Sequence, residues 1–177
     1  MIEHVAVITG VQDEADALLH DQPATRLDSP FGAIRQLDHG GKRVTILCSG
    51  IGKVHAGAAA LYMHGHFCPD LFLVIGTAGH VSTIQGDCFY LHESLQADCF
   101  VKCPERSAYL RDTLMADLVD METAAVAQIA AMLDLPWAGI KAVTDGANSD
   151  SSGDFHANLS AAARRAADAA AEFISRI

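Results

Sequence analysis

The sequence predicts an α/β fold, a single domain with a largely parallel or mixed central sheet flanked by helices. Three observations carry this. Short apolar runs alternate with segments whose apolar residues recur at three- and four-residue spacings. Glycine turns follow the strand-like runs, at Gly10, at Gly50 and Gly52, and at Gly76 and Gly79. The run LFLVI, Leu71 to Ile75, is apolar throughout, as expected of a strand covered on both faces. Such alternation belongs to α/β domains with strands joined through helices. A chain of 177 residues with no repeat and no linker-like stretch is large enough for one proper core.

Taken in order, His4 to Thr9 (HVAVIT) is a short apolar strand, and Gly10 opens a turn into a helix over Asp13 to Leu19. Ala15, Leu18 and Leu19 form the inward face of that helix. Gln22 to Pro30 reads as a polar loop. Gly32 to Asp38 and Lys42 to Cys48 read as an antiparallel pair across His39, Gly40 and Gly41. Ala56 to His64 is helical, Cys68 to Asp70 a turn, Leu71 to Ile75 a buried strand, and Gly86 to His92 a further strand. Leu159 to Ile177 is an Ala-rich amphipathic helix with Phe173 and Ile174 inward, and Asn148 to Asp154 before it reads as a polar loop.

The stretch from Asp117 to Asp150 carries the densest signal. Thr123 to Leu133 places Val126, Ile129, Ala130 and Leu133 on one helical face, and Pro136 ends that helix by forcing Leu135 out of the α region. Trp137 to Val143 is a mostly apolar strand, followed at once by the polar Thr144, Asp145, Gly146 and Asn148. Ligands of open parallel sheets sit beyond the carboxyl ends of strands, so Asp145 is well placed for chemistry. Glu122 stands at a helix start, where backbone N–H groups favour negative charge. Two carboxylates with different surroundings in one cleft can divide the roles of proton donor and charge stabiliser.

Composition excludes several classes. The net charge of −10 disfavours nucleic acid as a partner. No apolar run approaches the ~20 residues of a membrane span, and the start MIEH shows no leader pattern, so the expectation is a protein with no membrane partner. Five cysteines are an odd number, which fits a reducing, cytoplasmic setting. Cys99 and Cys103 lack a second pair at metal-ligand spacing, and the His64-Gly65-His66 alternation is better read as a polar helix end. The expectation is therefore no metal.

Several motifs carry chemistry beside a plain structural reading. Ser49-Gly50-Ile51-Gly52-Lys53-Val54 joins a strand to a helix through two glycines, which permit close backbone approach to a ligand. It has neither P-loop nor dinucleotide spacing, and on its own is a structural turn with Lys53 as a helix-start charge. Gly76-Thr77-Ala78-Gly79 either closes a buried strand or faces a sugar, with the Thr77 hydroxyl available to it. Gln12-Asp13-Glu14 either favours a helix N-terminus or supplies a base.

These motifs, in this order, resemble the nucleoside phosphorylase/nucleosidase family, and most of all its methylthioadenosine/S-adenosylhomocysteine nucleosidases. The segments that carry the resemblance are Asp120-Met121-Glu122 before an Ala-rich helix, Thr144-Asp145, Ser49 to Val54, and Gly76 to Gly79. The resemblance implies a hydrolase that cleaves the N-ribosidic bond of a purine nucleoside in methionine salvage. It assigns Asp145 as the acid that protonates the departing base and Glu14 as the group that activates water. A one-residue shift would exchange Glu14 with Asp13. Glu122 would accept the ribose hydroxyls, Met121 would pack beneath the sugar, and Asp120, Thr77, Gly79 and Ile51 would line the substrate site. His80 stands where the family has a second glycine and bears on access to the site.

The family has far more chain between Gly86 and Met121, including an aromatic residue that stacks on the purine. Here Glu93 to Asp98 is only a faint echo, and Phe100 and Tyr109 are the candidates for stacking. The resemblance further implies no cofactor, a small-molecule nucleoside as ligand, and a homodimer or larger homo-oligomer that completes the open pocket. Phosphorylases hold phosphate with a basic residue near the first glycine turn. Arg26 lies beyond the helix, which favours water as nucleophile. A phosphate-dependent phosphorylase and a nucleoside-binding protein without turnover are the alternatives.

Overall fold

The computed structural model describes residues 1–20, 22–91 and 100–177. Four parallel strands form its centre: β1 (His4–Thr9), β4 (Lys42–Cys48), β5 (Leu71–His80) and β8 (Trp137–Asp145). Antiparallel strands extend it on both sides, with β2 (Thr25–Ser29) and β3 (Gly32–His39) beyond β4, and β6 (Cys88–Leu91) beyond β8. The sheet order is β2-β3-β4-β1-β5-β8-β6, with the short β7 (Leu118–Val119) pairing antiparallel to the end of β5. The sheet is mixed, as the sequence predicts.

Alternation along β1 divides the core. Val5 and Val7 face one layer, with Ala15 and Leu18 of α1 (Gln12–Leu19) and Ala167, Ala170 and Ile174 of α5 (Ser151–Arg176). Ala6 and Ile8 face the other, with Ala56, Ala60 and Met63 of α2 (Lys53–Phe67) and Val126 and Ala130 of α4 (Thr123–Met132). Period-two burial in the strands and 3.6-residue burial in the helices thus meet in a helix–sheet–helix sandwich.

Three readings are corrected, and one helix is added. The polar stretch before Pro30 contains strand β2, an exposed edge that carries Arg26 and Asp28, as edge strands commonly do. Strand β5 runs on through Gly76-Thr77-Ala78-Gly79, which pairs with Lys141 to Asp145 instead of turning. Helix α5 begins at Ser151, because the Asn148 N–H donates to Ser151 Oγ and the Asp150 carbonyl receives Gly153 and Asp154 N–H. Pro104–Leu114 forms a helix, α3, with proline at its start, a position proline favours. The segment Glu93 to Asp98, His92 and Cys99 lie outside the described residues. Among the described residues, no helix is long and apolar enough to cross a membrane.

Candidate active site

The carboxyl ends of β1, β4, β5 and β8 open on one cavity of about 400 Å³. That size suits a small-molecule ligand, at the place where α/β sheets hold theirs. All eight residues expected at a site border it. Glu14 comes from the first turn of α1, and Ile51 from the loop before α2. Thr77 and Gly79 lie on the last stretch of β5, and Asp145 ends β8. Asp120, Met121 and Glu122 join β7 to α4.

Glu14 is buried and takes four hydrogen bonds. Gly10 N–H and Val11 N–H donate to Oε2 at 2.9 and 3.1 Å. Thr77 N–H and the Thr77 hydroxyl donate to Oε1 at 2.8 and 2.9 Å. A carboxylate has about four acceptor positions, so this one is filled from two strand ends at once. Gly76 makes the approach possible: a Cβ there would lie 2.4 Å from Glu14 Oε1, and its φ of +147° is one that residues with a Cβ rarely adopt. Asp13 is exposed, so Glu14 is the acidic residue that α1 turns toward the cavity.

Glu122 precedes α4, yet its carboxylate does not cap that helix. Oε1 accepts the N–H of Gly52, at the start of α2, at 2.9 Å. Thr123 N–H donates at 3.0 Å to Asp120 Oδ2, which also accepts the Thr123 hydroxyl. Behind both carboxylates stands Lys141 of β8, 1% exposed, with Nζ 2.9 Å from Asp120 Oδ2 and 3.8 Å from Glu122 Oε2. Burial by itself would strip the lysine's proton, but Asp120, Glu122 and Glu14 outweigh it and raise its pKa. Burial also opposes the charge of Asp120, where Lys141 and the Thr123 donors win and lower the pKa. At Glu122 burial wins: helped by the Asp120 and Glu14 charges and opposed by Lys141 and Gly52 N–H, it raises the pKa.

These opposite shifts predict opposite pH dependences. The folded state binds the Glu122 proton more tightly than the unfolded chain does. Its contribution is therefore present below the ordinary glutamate value of about 4.5 and lost as pH rises through the raised folded value. The folded state binds the Asp120 proton less tightly. That contribution is present above the ordinary aspartate value of about 3.8 and lost as pH falls through the lowered folded value. In urea unfolding across this range, the stability of the wild type relative to Glu122→Gln is expected to fall with rising pH. Relative to Asp120→Asn it is expected to rise.

Asp145 is fixed at the far end of the cavity. The Ala147 N–H donates to Oδ1 at 2.9 Å and the Thr144 hydroxyl to Oδ2 at 2.8 Å. An irregularity in the β5–β8 register, between Ala78 and Gly79, sets Gly79 opposite Asp145. A Cβ at Gly79 would come 3.1 Å from Oδ1, so the absence of a side chain leaves the acid its place. The described cavity wall is completed by aromatic residues, with Phe100 edge-on to Phe155 of α5 at 6.0 Å and His156 adjacent.

The model of the phosphorylase superfamily matches residues 4–88 and 82–177. The chain belongs to the phosphorylase superfamily. A 5'-methylthioadenosine/S-adenosylhomocysteine nucleosidase of Listeria monocytogenes serotype 4b (strain F2365) is 24% identical over 232 aligned positions, covering 98% of this chain and 99% of that protein. The 232 positions exceed the 177 residues present, so that relative carries segments this chain lacks. The crystal structure of Streptococcus pneumoniae MTA/SAH nucleosidase in complex with 8-aminoadenine superposes with a TM-score of 0.90 at 20% identity, covering 98% of this chain and 100% of that one. Helicobacter pylori (strain 26695) futalosine hydrolase superposes with a TM-score of 0.91 at 17% identity, covering 100% of this chain and 99% of that one. These two likenesses show the superfamily fold.

Sequence reasoning missed Lys141, Phe155 and His156 at this site. Lys141 lies in a strand read as apolar, but a lone lysine in such a strand is itself a signal, since a buried cation requires buried anions. Phe155 and His156 fell near a presumed loop, and only the early start of α5 turns them to the cavity. Of the two aromatic candidates, Phe100 borders the cavity, whereas Tyr109 projects from α3 and is exposed. The ring of His80 stacks against Phe89, and alternation along β5 turns it to the opposite side of the strand from Gly79. His64 and His66 fall in the last turn of α2, where His66 stacks on Tyr62 with ring centroids 4.0 Å apart.

Proposed function

We propose that the chain is a nucleosidase that hydrolyses the N-ribosidic bond of a purine nucleoside of the methylthioadenosine/S-adenosylhomocysteine type, as in methionine salvage. The observation that carries this reading is the charge of the cavity. Its acidic side chains are Glu14, Asp120, Glu122 and Asp145, and among the described residues no arginine or lysine borders it. Lys141 lies behind the wall, engaged by Asp120 and Glu122. A phosphate nucleophile would meet four carboxylates with no cationic cradle, whereas water and an uncharged nucleoside would not be repelled.

The chemistry follows that of glycoside cleavage through an oxocarbenium-like state. Asp145 gives its proton to a ring nitrogen of the purine as the C1′–N bond breaks and its electron pair passes to the base. Water then bonds to C1′ and yields a proton to Glu14. Of the four donors on Glu14, the Thr77 hydroxyl is the one that rotates freely, so it turns to release an acceptor position for the water. Glu122 accepts hydrogen bonds from the ribose hydroxyls, Met121 lies beneath the sugar, and Ile51, Thr77 and Gly79 bound it. Phe100 and Phe155 supply aromatic surface at the opening left by the shortened middle.

The same reading includes a homodimer. On α2, Val54 and Leu61 are 76% and 49% exposed and Ala58 lies between them, giving an apolar outer face that continues to Ile51 at the cavity edge. A second copy seated there would close the open side of the pocket. Light scattering is expected to give twice the chain mass, and Leu61→Glu to give the single-chain mass.

The activity is tested by incubating the protein with methylthioadenosine, S-adenosylhomocysteine, adenosine and inosine, with and without phosphate, and measuring free base. Release without phosphate supports the hydrolase. Release that requires phosphate would make it a phosphorylase, and tight binding without release a binding protein.

A further inference from the structure

The geometry points to Lys141 as a positioning residue that holds the Glu122 carboxylate charged and aimed into the cavity, and so sets the preference for a sugar bearing both ribose hydroxyls. This rests on the nucleosidase reading, in which Glu122 meets the sugar.

The two oxygens of Glu122 have different surroundings. Oε1 is committed to Gly52 N–H, and no hydrogen bond from the described residues reaches Oε2. Glu122 borders the cavity, and Lys141 Nζ stands 3.8 Å from its Oε2, beyond direct hydrogen-bond range but close enough for a strong charge interaction away from water. Lys141 makes its short contact with Asp120 instead, at 2.9 Å, and Asp120 is anchored in turn by Thr123 at the start of α4. The lysine is thus tied to α4 through Asp120, and its remaining field falls on Glu122. Without it, Glu122 would be a buried carboxylate facing Asp120 and Glu14. Such a group takes up a proton or withdraws from its neighbours. A neutral carboxyl accepts weaker hydrogen bonds than a carboxylate does, and the loss falls on the sugar hydroxyls.

Lys141 reaches no reacting atom in this arrangement, so its effect belongs to sugar recognition and not to bond cleavage. Asp145, which ends the same strand, is held by Thr144 and Ala147 independently of the lysine.

The experiment compares a ribonucleoside with its 2′-deoxy counterpart, by base release and by calorimetric binding, in three variants. Lys141→Arg keeps the charge. Lys141→Met removes it. Lys141→Met combined with Asp120→Asn removes charge and partner together, and so remains testable where the unpaired Asp120 prevents folding. In the folded neutral variants the KM and Kd of the ribonucleoside are expected to rise about tenfold, the loss of one charge-assisted hydrogen bond. The 2′-deoxy compound is expected to change by less than about threefold, and Lys141→Arg to keep most of the preference. A folded neutral variant with the wild-type preference would overturn the assignment. Wild-type binding without turnover would sink the nucleosidase reading alone, because the Kd ratios still test Lys141. Wild-type failure to bind either compound would sink both.

Discussion

Asp145→Asn is expected to lower the rate of base release by about two to four orders of magnitude, the usual worth of a general acid, while the protein folds as before. The hydrogen bonds at this position allow the two effects to be separated. In the wild type the Ala147 N–H donates to Oδ1 and the Thr144 hydroxyl to Oδ2. An asparagine keeps its oxygen on Ala147 N–H and turns its NH₂ toward Thr144 Oγ1. The hydroxyl then accepts, and gives its own proton to the Ala78 carbonyl, already 3.3 Å away. Every polar group retains a partner, so the melting temperature is expected to stay within about 3 °C of the wild type. What is lost is the proton. A riboside whose leaving group departs well without protonation, such as p-nitrophenolate, should therefore suffer much less from the substitution than a purine nucleoside. Equal losses on both substrates would show that Asp145 acts by some means other than proton donation.

The ease of seeing Asp145 in the sequence, and the difficulty of seeing Lys141, have the same origin. Asp145 ends an apolar strand at a sharp change of polarity, and local pattern suffices to place it at a sheet's carboxyl edge. The parallel centre was legible for the same reason: HVAVIT and LFLVI are strands under any reading, and the glycines that follow them, Gly10, Gly76 and Gly79, fall against the carboxylates of Glu122, Glu14 and Asp145. Lys141 acquires meaning only with Asp120, which lies 21 positions earlier and reaches it through tertiary packing. Thr77 and Glu14 likewise meet across 63 positions, and neither sequence segment specifies that the other supplies its hydrogen-bond partner. Helix α3 was legible in principle, since Pro104 followed by Glu105 marks a helix start. The glycine motif at Gly76 misled in the other direction. Glycine usually marks a turn, but here its positive φ lets a continuing strand accept a carboxylate against its backbone. The early residues of α5 misled because Ser, Gly and Asp are loop formers by propensity, and a side-chain oxygen at Ser151 overrides that locally.

Glu14→Gln is expected to fail both in activity and in stability, unlike Asp145→Asn. An amide has one oxygen and one NH₂, so one end must meet donors whichever way it is turned. Placed at Oε2, the NH₂ faces the N–H groups of Gly10 and Val11, neither of which can rotate. Placed at Oε1, it faces the Thr77 N–H, and only the Thr77 hydroxyl can turn to accept. At least one buried backbone donor is thus left opposed by another donor, at a cost of about 1–3 kcal/mol. Gly76 blocks the escape by sideways movement, since its backbone already lies against the carboxylate. Base release is expected to fall by at least about two orders of magnitude, because an amide cannot take the proton of the attacking water. Glu14→Ala separates the two losses. It empties the place between Gly10, Val11 and Thr77, whose N–H groups then form a pocket for a small anion. Formate at high concentration is expected to restore part of both the turnover and the thermal stability of Glu14→Ala, and to do neither for Glu14→Gln, whose side chain still fills that place. A Glu14→Gln protein that melts with the wild type and keeps its rate would remove Glu14 from the chemistry. The water would then have to be activated by Glu122 through Oε2, the oxygen that accepts no hydrogen bond from the described residues, since Oε1 is held by Gly52 and Asp120 Oδ2 by Lys141 and Thr123.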